Sequence, residues 1–167
     1  MCTRLSLWVC SVSMLGLFAS LSNADITSDL VGYWKLDDGV GTTAVDSSGR
    51  GNHGTLVGTP AWTTGGNDVR IGNGSLYFDY TAASVSDYVD CGDKPDFDIT
   101  DKITLAFWVK CPAFTVRFQY FFSKDIGQGG YSIIRAAETR NLRVVFNGLS
   151  GQYYATGTKI IDDGQWH

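Results

Sequence analysis

The chain has 167 residues and a formal net charge of −4 at pH 7, and this acidic balance gives no support to nucleic acid or an anionic membrane as a partner. Hydrophobic residues make up 44% of the sequence, which is enough for one domain with a two-layer core. Sixteen of the 17 acidic residues are Asp, and short carboxylates favour turns and calcium sites over long helices.

The first 24 residues have the features of a signal peptide. Arg4 precedes an apolar run over 5–21, and the small residues Ser22 and Ala24 stand at the positions that a signal peptidase reads. A membrane anchor is the alternative, but the apolar run is marginal for a span and nothing basic follows it. We therefore predict a signal peptide over 1–24 and a secreted or cell-surface chain, with no membrane insertion after cleavage.

Residues 25–167 are predicted to form one all-β domain, an antiparallel two-sheet β-sandwich. Short apolar or alternating runs recur between Gly, Asp and Ser clusters, and no window sustains a helical period. A single helical turn is expected over 97–101, after Pro95. The predicted strands are 31–36, 54–57, 75–78, 88–91, 103–110, 118–124, 131–135, 142–146 and 153–159.

Alternation predicts which side of each strand is buried. In 103–110 the odd-numbered positions are all apolar, and in 142–146 Val144 is expected to face inward and Val145 outward. Asn147-Gly148 is a turn signal that would join this strand to 153–156 as a hairpin. The predicted core comprises Trp34, Leu36, Phe78, Val89, Leu105, Phe107, Val109, Val144 and Phe146.

Four separated motifs occur in order along the chain. They are Val-Gly-Tyr-Trp-Lys-Leu-Asp-Asp-Gly followed by Asp-Ser-Ser-Gly-Arg-Gly-Asn-His-Gly at 31–54, Ser-Leu-Tyr-Phe-Asp at 75–79 with Asp-Tyr-Val-Asp at 87–90, Ile-Thr-Leu-Ala-Phe-Trp-Val-Lys at 103–110, and Asp-Gly-Gln-Trp-His at 163–167. Together they resemble a laminin-G-like domain of the concanavalin-A-like jelly-roll superfamily. The resemblance implies an exported, non-catalytic module that binds carbohydrate or an extracellular protein.

In similar sequences the Gly-Gln-Trp-His motif leads into further strands. We therefore expect this domain to be incomplete, with its C-terminal strands missing after His167. Unpaired strand edges are templates for association, so residues 25–167 made alone should be marginally stable and should self-associate.

Catalysis by this chain is not expected. Glycoside cleavage normally uses two carboxyl groups across the scissile bond, and the single Glu, Glu138, lies in a predicted turn. The two histidines, His53 and His167, lie in a Gly-rich loop and at the last position, so neither has a credible catalytic partner. The alternative is an accessory or N-terminal fragment of a secreted polysaccharide-degrading enzyme, and a purely structural module is a third class.

A calcium site is the first candidate for chemistry. Asp37, Asp38, Asp46 and Asn52 lie in one loop system with several glycines, and calcium takes six to eight oxygen ligands from such loops. The competing interpretation is an Asx-type turn over 46–49, in which the carboxylate accepts local N–H groups.

Weaker candidates lie elsewhere. The loop 124–130 lies where the similar pentraxins place part of a calcium site, which implies ligand-binding roles for Asp125 and Gln128, with Tyr131 beside them. The rings that would suit a sugar face are Trp62, Tyr80, Tyr120, Tyr131, Tyr153 and Tyr154. In an exported chain Cys91 and Cys111 would be suited to one disulfide, and their spacing neither requires nor forbids it.

Overall fold

A computed structural model of the chain describes residues 29–79, 87–113, 119–124, 129–135, 139–148 and 151–167. These residues form strands and two 3₁₀ turns, at Gly66–Asp68 and Pro95–Phe97. No helix in this part of the chain is long and apolar enough to cross a membrane. The strands are β1 Thr43–Ala44, β2 Gly54–Val57, β3 Ala61–Thr64, β4 Gly74–Tyr77, β5 Tyr88–Asp90, β6 Tyr120–Lys124, β7 Tyr131–Arg135, β8 Asn141–Gly148 and β9 Gly151–Ile160.

All strand pairs are antiparallel, which confirms the predicted fold class. A three-stranded sheet has the order β1-β2-β5, and β3 and β4 form a separate hairpin. The strands β6, β7, β8 and β9 form a four-stranded sheet in chain order. Each strand of that sheet can pair with the next after a short connection, so a simple meander results.

Several strands agree with the sequence prediction. β2 and β7 begin and end where alternation placed them, and β4 and β5 are shifted or shortened by one residue. The expected hairpin of β8 and β9 forms, but Asn147 and Gly148 belong to β8 and pair with β9, so the turn prediction at these two residues is wrong. The 3₁₀ turn begins at Pro95, two residues before the helical turn that the sequence suggested. The sequence prediction missed β1 and β3.

Two predicted strands are wrong over most of their length. In 31–36 only Trp34 makes a ladder bridge, to Asp46, and Leu36 has a left-handed backbone with φ of 56°, which ends extended pairing there. In 103–110 only the end is paired: Lys110 bridges Trp166. Alternation shows which face a strand would bury, but pairing also needs a neighbour in register. Residues 103–108 have none among the residues that the structure describes.

The buried hydrophobic residues differ in part from the predicted core. Phe78, Phe107 and Phe146 are 44%, 39% and 43% exposed, so their assignment to the core is wrong. Phe107 lies in the unpaired segment, and Phe146 pairs with Tyr153 on the outermost strand β9, all of whose residues are exposed. The other six predicted core residues are half-buried. The buried set is Ala44, Leu76, Phe97, Cys111, Tyr131, Ile133, Ile134, Val145 and Ile161.

The four-stranded sheet has two faces of different character. On the inner face, Tyr131 stacks on Phe122 with ring centroids 5.9 Å apart, and its hydroxyl donates a hydrogen bond to the Phe97 carbonyl oxygen at 3.0 Å. Val144 lies on this face, as predicted, because it pairs with Ile133. Val145 lies on the opposite face, but it is only 4% exposed and so is not the solvated residue that the alternation suggested.

Candidate functional site

The face of the four-stranded sheet that carries Val145 forms a cleft of about 230 Å³. We call it the sheet cleft. Directly opposed residues in antiparallel strands point to the same face of the sheet. The residues that line the cleft are therefore cross-strand neighbours on one face. The lining residues are Tyr120, Ser132, Ile134, Arg143, Val145, Asn147 and Gln152.

The floor of the sheet cleft is apolar and its rim is polar. Ile134 and Val145 are buried beneath it, together with Ser132. Tyr120, which pairs with Ile134 through β6, keeps 49% of its exposure and offers a ring at the edge. A buried apolar floor with a few polar groups is the usual composition of a small-molecule site.

Arg143 is held in place on this face by two contacts with the edge strand. Its Nε donates a hydrogen bond to Thr156 Oγ1 at 3.1 Å, and its guanidinium carbon lies 4.5 Å from the centroid of the Tyr154 ring. Arg143 and Thr156 are cross-strand partners, so the backbone register itself brings them together. Two contacts restrict a long side chain that would otherwise sample many rotamers.

A pair of amides lies at the hairpin end of the sheet cleft. Gln152 Nε2 donates a hydrogen bond to Asn147 Oδ1 at 3.0 Å, and the two residues oppose each other in the β8–β9 register. Amide groups both donate and accept hydrogen bonds, which suits them to the hydroxyl groups of a polyol. The sheet cleft therefore combines a ring, a cation and two amides on one surface.

The four residues predicted to bind calcium are not gathered into one site. The Asp46 carboxylate is buried and accepts four hydrogen bonds, from the backbone N–H groups of Tyr33, Ser48 and Asn52 and from the Ser48 hydroxyl, at 2.7–2.9 Å. We call this arrangement the Asp46 turn. Burial raises the pKa of Asp46, but the hydrogen bonds outweigh it and lower the pKa from 3.8 to about 2.

The side chains of the other calcium candidates have other contacts, although the Asn52 backbone N–H donates to Asp46 Oδ2 at 2.8 Å. Asp38 Oδ2 accepts a 3.3 Å hydrogen bond from Val45 N, and Asp37 packs against Gly72. Asn52 donates from its side-chain amide to the Val31 carbonyl oxygen at 2.8 Å. Within the described ranges, no three His, Cys, Asp or Glu side chains converge as metal ligands. An ion at Asp46 would have to displace hydrogen bonds, so these residues as placed do not fit a calcium site, and calcium binding stays a prediction.

The remaining site predictions have different outcomes. Asp125 and Gln128 lie outside the described residues, as does Tyr80. Tyr131 is buried against Phe97 and Phe122 and is a core residue. Trp62 donates from Nε1 to the Gly41 carbonyl oxygen at 2.8 Å, far along the chain from the sheet cleft.

The disulfide that the sequence left open is not formed, and Cys91 and Cys111 are both free thiols. Their surroundings differ: Cys91 lies against Gly54, whereas the Cys111 thiol donates to the Ala113 carbonyl oxygen at 3.3 Å. Burial raises the pKa of both thiols, that of Cys91 to about 11, so neither is a reactive thiolate near neutral pH.

Sequence reasoning missed Arg143 and Gln152 as site residues. The signal for Arg143 was present, because alternation placed Arg143, Val145 and Asn147 on one face of their strand. Gln152 gave no such signal, since its place beside Asn147 depends on the two-residue connection between β8 and β9.

One comparison with known proteins gives a match. A laminin G family model described as "Concanavalin A-like lectin/glucanases superfamily" matches residues 81–167, just over half of the chain. This region includes the whole four-stranded sheet and every residue that lines the sheet cleft. No curated protein and no solved structure matches the chain.

Proposed function

Because the chain belongs to the concanavalin A-like lectin/glucanase superfamily, we propose that it is an exported, non-catalytic binding module that takes a carbohydrate into the sheet cleft. The family membership supports a carbohydrate-binding or protein-binding role. The choice of carbohydrate rests on the composition of the sheet cleft.

The observation that carries this proposal is the combination of a half-exposed ring with amides on one face. Tyr120 offers a flat apolar surface, which can pack against the C–H face of a pyranose. Asn147 and Gln152 offer amide donors and acceptors at the hairpin end of the same cleft. A sugar ring has this pairing of an apolar face with hydroxyl groups at its edge.

The residues that line the sheet cleft also indicate whether it could cleave a glycoside. No carboxyl group lines the sheet cleft among the residues that the structure describes, so those residues do not supply the acid pair that glycoside cleavage uses. Binding without turnover is what such a lining supports. The same module would also serve as the accessory part of a larger polysaccharide-degrading enzyme.

Isothermal titration of the purified chain with a panel of neutral and acidic oligosaccharides tests the proposal. Tyr120→Ala should weaken binding about tenfold, because truncation of an aromatic residue that packs on the ligand costs about 1 kcal/mol or more at a binding hot spot. Tyr88→Ala is the matched control, because Tyr88 on β5 is also 49% exposed but lies outside the sheet cleft. Absence of binding to every oligosaccharide, or equal loss in both variants, would contradict the proposal.

A further inference from the structure

The sheet cleft differs in charge from the rest of the molecule. The chain carries 17 acidic and 13 basic residues, yet the part of the cleft lining that the structure describes contains Arg143 and no carboxylate. A neutral sugar needs no cation. The local excess of positive charge in an acidic protein therefore suggests a ligand that carries negative charge.

The ion pairs of the molecule strengthen this point. Arg140, three residues before Arg143, pairs with Asp162 at 2.7 Å, and Lys110 pairs with Asp68 at 2.9 Å. No carboxylate among the described residues pairs with Arg143. Among the described residues its side chain contacts the Thr156 hydroxyl and the Tyr154 ring, and neither group carries a negative charge.

The geometry of Arg143 also suits a planar anion. The hydrogen bond to Thr156 uses Nε, and the contact with Tyr154 uses the face of the guanidinium. These contacts do not use the terminal amino groups, which are the groups that bind a carboxylate. Restricting the side chain before a ligand arrives also lowers the entropy lost on binding.

We propose that the sheet cleft is selective for acidic saccharides, with Arg143 binding the carboxylate of a uronate residue. This inference rests on the proposed carbohydrate function. Tyr120 would then contact the ring of the sugar, and Asn147 and Gln152 its hydroxyl groups. Selectivity would come from Arg143, because only this described lining residue distinguishes a carboxylate from a hydroxymethyl group.

The test compares each uronate oligosaccharide with its own carboxyl-reduced form. Hexasaccharides from pectate, alginate and hyaluronan are titrated into the purified chain at low ionic strength, each beside the product in which its carboxylates are reduced to hydroxymethyl groups. We expect at least one uronate form to bind about tenfold or more tightly than its reduced partner, as is typical of a charge-assisted hydrogen bond. This preference should decrease as salt is added.

Variants then assign the preference to one residue. Arg143→Gln should bring the ratio of the two affinities close to one while the reduced saccharide still binds. Arg143→Lys should keep part of the preference, since it retains the charge and loses the planar fork. Arg140→Gln is the control: it removes the same charge from the chain, but Arg140 lies outside the cleft lining, so the ratio should stay as in the wild type.

The outcomes separate this inference from the function on which it rests. Equal affinity of the wild type for every uronate form and its reduced partner would overturn the inference and leave carbohydrate binding intact. A preference that survives in Arg143→Gln would also overturn it. If no saccharide of either kind binds, the proposed function fails and the inference fails with it. If Arg143→Gln does not fold, Arg143→Lys makes the assignment, because its preference should lie below that of the wild type, and an unchanged preference would overturn the inference.

Discussion

The Asp46 turn and the sheet cleft both gather polar side chains, but they use them in opposite ways. In the Asp46 turn the chain's own N–H and O–H groups supply four hydrogen bonds to one buried carboxylate. In the sheet cleft Arg143, Asn147 and Gln152 line an open surface around a half-exposed ring. The Asp46 carboxylate is buried and its acceptors are used inside the chain, whereas Arg143 and Gln152 are also bonded within the chain but line a surface that is open to a ligand.

The two regions differ in how visible they are in the composition of the chain. An excess of Asp and Gly suggested calcium in the loops, and the sequence of the Asp46 turn was the richest in candidate ligands. In the structure the Asp46 carboxylate oxygens accept hydrogen bonds from backbone N–H groups. The sheet cleft is lined by β-strand residues that belong to no sequence motif. Three experiments test whether the Asp46 turn is a structural element and not a ligand site.

The largest expected effect is on stability at the Asp46 turn. Asp46→Ala leaves three backbone N–H groups and the Ser48 hydroxyl without their acceptor and should lower the free energy of unfolding by about 3 kcal/mol. Denaturant titration measures the loss. Asp38→Ala is the control, because Asp38 accepts a 3.3 Å bond from Val45 N at the surface and should cost less than about 0.5 kcal/mol. Equal losses in the two variants would show that the Asp46 network is not stabilising.

Calcium binding would contradict the view that the Asp46 turn is only structural. It would make the loops a ligand site, formed by Asp37, Asp38, Asp46 and Asn52. An ion at 100 times its dissociation constant would raise the free energy of unfolding by about 2.7 kcal/mol. Thermal melts in calcium and in chelator should then separate, and Asp46→Ala should remove the separation. Coincident wild-type curves would leave the Asp46 turn as a structural element alone.

Acid should weaken the Asp46 turn by a somewhat smaller amount. The pKa of Asp46 is lowered from 3.8 to about 2 in the folded chain, so its carboxylate contributes about 2 kcal/mol of stability above pH 4. This contribution is lost as the pH falls from about 4 towards 2, because protonation then occurs in both states. The difference in unfolding free energy between wild type and Asp46→Asn should shrink over this range. A constant difference would contradict the prediction, and Arg143→Gln should follow the wild-type profile.

The sequence by itself determined the fold class and much of the strand pattern. Short apolar runs in 54–57 and 131–135 located β2 and β7, and Asp46-Ser-Ser-Gly contained the turn that forms. These features are local: a strand periodicity needs only its own residues, and an Asx-type turn needs a carboxylate two positions before its donor.

The tertiary structure was needed to establish which predicted strands pair with a neighbouring strand and which side chains are buried. Residues 103–108 have a clear strand pattern but no neighbouring strand within the described ranges, and Phe107 stays 39% exposed. Val145 is buried and Phe146 is exposed, the reverse of their expected burial, although both lie on β8 between the same two strands and differ only in the face to which they point. The position of Arg143 is set in the same way, by a register that places it opposite Thr156. Burial and pairing depend on residues distant in sequence, and a local pattern contains no information about them.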